Sequence, residues 1–247
     1  MNNINNKQQF YFLITIIFVY VMLFEFVLPV NKVLPRPTLL VEAFFSIWKD
    51  YNLLYSMALT TTSIYLSLAL GSIIMMFISK KLLYYLMQFK DLFDSIKFYK
   101  YIPFIFLIVI FIYWFQDSII AEFMFGLVYV FALLKISLFE ELKNIDEYYI
   151  VAKNMGLDEK EIHSKVIFKT LQPALFEKII QIHFSLWGII LIYEFIDGNG
   201  FGGVYSKILY YNDFSAIFVL TIIITFLIWI GNLLLKFIQL KYYFWEK

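Results

Sequence analysis

The segment IVAKNMGLDEKEIHSKVIFKTLQP, residues 150–173, is charged, although the chain around it is strongly apolar. Seven of its 24 residues carry charge, whereas the chain of 247 residues is 62% hydrophobic and only 16% charged. Soluble domains are roughly 45–50% apolar, and the remaining polar segments are too short for a second, soluble domain. The composition therefore predicts a single integral membrane domain, residues 1–247, with this charged segment outside the bilayer.

The composition also excludes several kinds of chemistry. The sequence has no cysteine, so disulfides, thiolate metal sites and cysteine nucleophiles are excluded. The net charge of +1 argues against a surface dedicated to nucleic acid. The 29 Phe, 19 Tyr and 5 Trp residues are expected mostly to face lipid and the membrane interfaces. We therefore expect no cofactor, no metal site and no catalytic residue.

Six apolar stretches can serve as membrane-spanning helices, which predicts an all-α polytopic fold. They lie at about residues 10–30, 53–79, 101–115, 119–134, 174–193 and 214–235. The first is longer than the apolar part of a cleavable signal peptide and is interpreted as a retained helix. The polar step Gln116-Asp117-Ser118 separates the third and fourth stretches. Both are a tight fit, because a helix needs roughly 20 residues to cross the ~30 Å hydrocarbon core.

The distribution of basic residues predicts the orientation of these helices. If the N-terminus is cytoplasmic, only Lys32, Arg36, Lys49 and Lys207 lie on the outer side, and the other sixteen of the 20 lysine and arginine residues lie inside. Basic residues concentrate on the cytoplasmic side of membrane proteins. Both termini and the segment 143–173 are therefore predicted to be cytoplasmic.

Local signals divide the cytoplasmic segment into two helices. Asn144 is a candidate cap for the first, and Gly156 is suited to the left-handed residue that ends it. Asp158 and Glu161 have capping-box spacing for a second helix, from residue 159 to about residue 169. Ile162 and Val166 lie on one face of that helix. The prediction is a helix, a glycine hinge and a short second helix before the fifth span.

The outer segment LPRPTLLVEAFFSIWKD, residues 34–50, also has a helical pattern. Thr38 is a plausible helix N-cap, and apolar residues follow it at helical spacing. An amphipathic helix of this kind lies either on the outer membrane surface or against the helix bundle. Both interpretations fit the sequence equally well.

Residues 150–173 resemble the cytoplasmic signature loop of the inner-membrane permease subunits of bacterial ABC importers. Gly156 matches the loop's conserved glycine, and Ala152 matches the last alanine of a Glu-Ala-Ala triplet before it. Val166 matches a hydrophobic position after the glycine, and Pro173 matches a second proline found in the nitrate/sulfonate/taurine-type branch. The chain departs from the motif at positions 150, 151 and 169, where it has Ile, Val and Lys in place of Glu, Ala and Pro.

The resemblance extends in degenerate form from Val33 to Trp245. The segment KVLPRPTLLVEAFFSIWKDYNLLYSMALTTTSIYLSLALGSIIMMF, residues 32–77, is similar to the same branch's proline-containing segment, amphipathic helix and second span. Pro103 stands where that branch has a proline before its third helix. After the fifth span, EFIDGNGFGG, residues 194–203, is similar to an acidic residue followed by Gly-Leu-Gly.

The resemblance implies a non-catalytic transport subunit in the bacterial inner membrane. Its signature loop would carry a coupling helix that rests on a cytoplasmic ATP-binding subunit, whose closure moves the spans between inward- and outward-open states. The other implied partners are a second permease copy, forming a homodimer or a heterodimer, and an extracytoplasmic substrate-binding protein. The branch handles nitrate, sulfonates, taurine and vitamin precursors, and a small polar solute crossing a pore lined by residues 60–63 and Ser67 would suit it.

Two sets of residues carry these implied roles. The ATPase-coupling set comprises Ala152, Gly156, Leu157, Asp158, Glu161, Ile162, Val166 and Pro173. The second set forms a periplasmic turn that gates the pore or meets the binding protein, and it comprises Glu194, Gly200 and Gly202. A phosphate-binding reading of the glycines fails, because no strand precedes them and no Gly-Lys-Ser/Thr follows.

Two other classes of protein remain as alternatives. A multi-spanning acyl- or glycosyltransferase would cluster polar catalytic groups at one membrane face, and a secondary transporter would show broken helices and inverted repeats. Among the isolated polar residues, Glu25 and Glu122 are expected at the membrane interface. His183 is expected to be a packing residue and His163 a surface residue.

Overall fold

The computed structural model describes residues 2–28, 35–88, 103–115, 119–142 and 146–242, which are helical apart from short connections and contain no strand. The helices in these ranges are α1 Asn2–Val21, α2 Pro37–Asp50, α3 Leu53–Gln88, α4 Phe104–Trp114, α5 Ile119–Glu141, α6 Asp146–Asn154, α7 Glu159–Asp197, α8 Gly200–Tyr211 and α9 Phe214–Tyr242. One π-helical turn, Met22–Val27, extends α1, and another, Ile162–Ile167, lies within α7. The predicted all-α fold is confirmed.

Among the described residues, four helices are long and apolar enough to cross a membrane. The segments that qualify are Leu53–Lys80, Ile120–Glu141, Glu159–Asp197 and Phe214–Tyr242, and each overlaps one of the predicted spans. Ile14–Val27 and Phe104–Trp114 are shorter apolar helices. At ~1.5 Å per residue, α4 is about half as long as the ~30 Å hydrocarbon core. The chain is thus a polytopic membrane protein, and the count of six spans stays a prediction.

Helix α7 joins the charged segment to the membrane-spanning part without interruption. We expected a short helix ending near Lys169, but the helix continues through Pro173 to Asp197. Pro173 cannot donate to the Lys169 carbonyl, which normally costs about 3 kcal/mol. Leu171 and Leu175 are buried on either side of Pro173, so packing against the bundle holds the helix together. Over 39 residues, α7 is about 58 Å long at ~1.5 Å per residue.

The centre of the bundle is formed by α3, α5, α7 and α8. Helix α3 packs along α5 and α8, and α7 packs against α5, α8 and α9. Trp187 and Tyr193 of α7, Phe125 of α5 and Phe201 of α8 are the largest fully buried side chains. Helix α9 is more peripheral, with only 17% of its most apolar part buried.

Helix α2 packs against α9, which favours the bundle over the membrane surface for this helix. Ala43 and Ile47 form its buried side. The prediction that Thr38 is the N-cap is wrong, because the helix begins at Pro37 and its cap position is Arg36. Thr38 instead donates its hydroxyl to Glu25 over 3.1 Å and its backbone N–H over 3.3 Å. An acidic side chain at a helix N-terminus accepts donors that the helix leaves unsatisfied.

Candidate functional site

Gly156 ends helix α6 in the way that the sequence predicts. Its φ is +82°, in the left-handed region, and its N–H donates to the Lys153 carbonyl over 3.0 Å. The Leu157 N–H reaches back to the Ala152 carbonyl over 3.4 Å. A Cβ at position 156 would meet nothing within 4 Å. The position therefore favours glycine because of its backbone conformation, and space does not limit it. The predicted cap at Asn144 lies outside the described residues.

Asp158 is the N-cap of α7, as its spacing predicts. Its carboxylate accepts the backbone N–H of Glu159 over 2.8 Å, and not that of Glu161 as in a full capping box. Glu161 also forms an exposed ion pair with Lys165 at 2.6 Å. Gly156 and Asp158 are thus a helix stop and a helix start separated by one residue, Leu157, which fixes the angle between α6 and α7.

The predicted coupling residues fall into a buried group and an exposed group. Those held against the bundle are Ala152, Leu157, Ile162, Val166 and Pro173, and those facing outward are Gly156, Asp158 and, partly, Glu161. His163 was expected at the surface, but it is only 7% exposed. Its Nδ1 lies 2.7 Å from the Glu159 carbonyl, and its ring meets Tyr84 and Tyr149 edge-on.

One outward-facing feature of this region was missed. Tyr148, Ile150 and Val151 of α6, together with Met155 directly after its last residue, are exposed apolar residues, with Met155 at 77%. The apolar residues at positions 150 and 151, where the motif has Glu and Ala, could have indicated this exposed apolar surface. We name these four residues the α6 apolar patch.

At the other end of α7, Glu194 caps the following helix. Its side chain is completely buried, although it follows a long apolar segment. Oε2 accepts the backbone N–H of Gly202 over 2.9 Å, and Oε1 lies 2.5 Å from the hydroxyl of Thr60 on α3. The Thr60 hydroxyl oxygen in turn accepts the backbone N–H of Phe201 over 3.0 Å. Two unsatisfied donors in the first turn of α8 are thereby paired with side chains of α7 and α3.

The glycines of α8 allow this close approach. A Cβ on Gly200 would overlap the Glu194 carboxyl group, one on Gly202 would overlap the Leu191 carbonyl oxygen, and one on Gly203 would overlap the Gly198 carbonyl oxygen. Gly200 and Gly202 were predicted to lie in a turn, but both belong to α8. The turn itself is Gly198 and Asn199, with Gly198 at φ +86°.

Glu122 of α5 is also part of this junction. It was expected at the membrane interface, yet it is only 2% exposed. Its carboxyl group is in hydrogen-bonding contact with that of Glu194. The next residue, Phe123, accepts the Ser67 hydroxyl of α3 at its carbonyl over 3.0 Å. Thr60 and Ser67 are therefore used for contacts between helices, so they do not line an open pore within one chain.

His183 is a packing residue, as expected. It is fully buried, and the indole N–H of Trp187 donates to its Nε2 over 3.1 Å. Its ring stacks on Tyr65, whose hydroxyl lies 3.4 Å from the same Nε2. Tyr65 also lines a cavity of about 830 Å³ between α3, α7 and α9. Among the described residues, no three His, Asp or Glu side chains are grouped as metal ligands.

Comparison with known proteins identifies the family. Residues 67–241 match the family described as binding-protein-dependent transport system inner membrane component, and this range contains the charged segment, α7 and the junction with α8. No curated protein and no solved structure gives a significant match. The match excludes the membrane-enzyme and secondary-transporter alternatives. The chain therefore belongs to the binding-protein-dependent transport system inner membrane components, the non-catalytic permease subunits of ABC importers.

Proposed function

We propose that this permease subunit belongs to an importer of the nitrate/sulfonate/taurine-type branch and carries a small polar solute. It forms the translocation pathway with a second permease copy, for which the exposed apolar face of α9 offers a surface. An extracytoplasmic binding protein delivers the solute, and a cytoplasmic ATPase drives the cycle. The segment 143–173 and both termini are cytoplasmic in this proposal, as the lysine distribution indicates.

The observation that carries the proposal is the continuity of α7. The helix begins at the Asp158 cap and ends at Asp197, beside the junction with α8. A continuous helix has no loop in which a displacement could be lost, so a movement of its cytoplasmic end is transmitted to its far end. Gly156 and Asp158 keep the angle of α6 to α7 constant, which lets a partner that binds α6 move α7.

The docking surface in this proposal is the α6 apolar patch together with Gly156 and Asp158. Exposed apolar residues rimmed by charged ones are typical of protein contacts. Lys153, Glu159 and Lys160 are exposed charged residues of the same segment, so the surface remains soluble when the partner leaves. The hydrophobic residues at positions 150 and 151 predict an ATPase groove that is more apolar than one that accepts the Glu-Ala-Ala triplet.

Affinity purification of the tagged chain from its native membranes tests the proposal. We expect an ATP-binding subunit to co-purify with nucleotide-hydrolysis activity, and we expect Val151→Asp and Met155→Asp to remove it, because a charge would be desolvated in the contact. Tyr210→Asp is the matched control, since Tyr210 is 81% exposed on α8, at the other end of α7. Recovery of no ATPase, or equal recovery with both patch variants, would contradict the proposed coupling surface.

A further inference from the structure

Two carboxyl groups meet in the interior of the bundle, and the coupling proposal does not account for their contact. Glu122 of α5 is 2% exposed and Glu194 of α7 is fully buried, and their carboxyl groups are in hydrogen-bonding contact. An ionised carboxylate has only acceptors. A hydrogen bond between two carboxyl groups therefore needs a proton on one of them.

The hydrogen bonds of Glu194 identify it as the ionised member. Both of its oxygens face donors, the Thr60 hydroxyl at 2.5 Å and the Gly202 N–H at 2.9 Å. It also lies at the N-terminus of α8, where the helix dipole favours a negative charge. A proton on Oε2 would point at the Gly202 N–H. A proton on Oε1 would leave the Thr60 hydroxyl only its longer contact as a donor, the Ser56 carbonyl at 3.0 Å.

Glu122 has the opposite surroundings. Its Oε1 is buried and has no hydrogen-bond partner, which is costly for a carboxylate and much less costly for a protonated carboxyl group. Within the part of the chain that the structure describes, Ser63 of α3 is the only neighbour besides Glu194 that is close enough to hydrogen-bond its carboxyl group. Among the described residues, no lysine, arginine or histidine forms an ion pair with Glu122 or Glu194.

The other charged and titratable groups around the pair strengthen the same assignment. Asp197 and Tyr193 of α7 are close enough to interact electrostatically with Glu122. Asp197 is partly exposed and accepts the Asn199 side-chain amide over 2.8 Å. Helix α3 contributes hydroxyl groups and α8 contributes backbone N–H groups. A negative charge on Glu122 would face the carboxyl groups of Glu194 and Asp197, and no lysine, arginine or histidine in the described ranges forms an ion pair with it.

We propose that Glu122 and Glu194 form a proton-binding site, in which Glu122 carries the proton and donates it to the Glu194 carboxylate. The shared proton holds α5 against α7 at the point where α7 caps α8. Its loss leaves two like charges in contact in a buried site, which forces the helices apart or admits water. The junction between α5, α7 and α8 is then a structure that proton release opens, independently of which ATPase or solute the permease uses.

The pH dependence follows from proton binding. The folded chain holds one proton at neutral pH that a solvated glutamate in the unfolded chain has released, so the folded state binds more protons. Stability is therefore present at neutral and acidic pH and falls as the pH rises and the pair loses its proton. Glu122→Gln mimics the protonated side chain, because its amide N–H donates to Glu194 at every pH.

Infrared spectroscopy of the full-length chain in lipid nanodiscs tests the proton directly. At neutral pH we expect the C=O stretching band of one protonated carboxyl group in the wild type, and we expect Glu122→Gln to abolish it. Glu177→Gln is the matched control, because Glu177 is an exposed residue of α7 at the inner end of the fifth predicted span, and it should leave the band unchanged. Absence of the band from the wild type, or its persistence in Glu122→Gln, overturns the proposal.

Thermal unfolding of the same samples tests the coupling to the fold. The midpoint should fall with rising pH in the wild type and in Glu177→Gln, and it should vary less in Glu122→Gln. Parallel pH profiles for all three overturn the proposal. If Glu122→Gln does not fold, the wild type alone tests the proposal. Its infrared band should disappear over the same pH range in which its unfolding midpoint falls. If sodium stabilises the protein at alkaline pH and choline does not, the site binds a metal cation, and the proposal of a bound proton is overturned.

Discussion

Thr60 and Glu194 are 134 positions apart in the sequence, and their side chains are joined by a buried hydrogen bond of 2.5 Å. The same hydroxyl oxygen accepts the backbone N–H of Phe201 over 3.0 Å. One small side chain on α3 thus links the last turn of α7 to the first turn of α8.

Replacing Thr60 by valine should destabilise this junction. The substitution keeps the side chain's shape but leaves Glu194 Oε1 and the Phe201 N–H without a partner, which costs about 1–3 kcal/mol for each buried group left unsatisfied. Chemical unfolding in detergent measures the loss. Thr221→Val is the control, since the Thr221 hydroxyl bonds only the Ile217 carbonyl of its own helix. Equal stability of the two variants would show that the Thr60 hydroxyl has no role between helices.

Gly202→Ala should separate α8 from α7. The added Cβ would overlap the Leu191 carbonyl oxygen and the Phe195 backbone nitrogen. Backbone atoms in a helix cannot turn aside as a flexible side chain can, so we expect a loss of about 3 kcal/mol or more. Gly188→Ala in α7 meets nothing within 4 Å and should be neutral or stabilising. The yield of folded protein and the unfolding midpoint distinguish the pair, and a stable Gly202→Ala would contradict the described packing.

Gly231→Ala should be destabilising in a way that Tyr65→Phe relieves. A Cβ at position 231 would overlap the Tyr65 hydroxyl and lie 2.8 Å from Nε2 of His183. Removing the hydroxyl removes the main overlap, while Trp187 still donates to His183. In a double-mutant cycle the interaction free energy should be about 0.5–3 kcal/mol in favour of the double variant. If the two substitutions change the free energy of unfolding additively, Gly231 and Tyr65 are not in contact.

Substitutions at Gly156 should be ranked by backbone preference and not by size. The residue has φ +82° and open space around its Cα, and asparagine adopts this conformation more easily than other non-glycine residues. Gly156→Asn should cost little, and Gly156→Val should cost about 1–2 kcal/mol. Limited proteolysis between α6 and α7 reports the difference. If the valine variant is as resistant to proteolysis as the wild type, the fold does not require a left-handed backbone conformation at residue 156.

Local features of the site could be predicted from the sequence, because they depend on neighbours in the chain. Gly156 as a helix stop and Asp158 as a helix start each follow from the conformation and hydrogen bonding of one residue and the next few. Long-range features could not be predicted in this way. Glu122 was expected at the interface because its position in the chain indicates depth in the membrane, whereas its burial depends on Glu194, 72 positions away.

The sequence by itself determined that this protein is an all-α membrane protein in whose charged segment one helix ends at Gly156 and the next begins after Asp158. Apolar length and capping chemistry are sufficient for that, whereas the permease prediction rested on the resemblance of residues 150–173 to a known signature loop. Only the tertiary structure decided that α7 continues through Pro173, that Gly200 and Gly202 belong to a helix capped from α7 and α3, and that Glu122 meets Glu194. Each of these depends on packing between helices distant in sequence, where buried contacts outweigh the local preference of proline, glycine or an ionisable group.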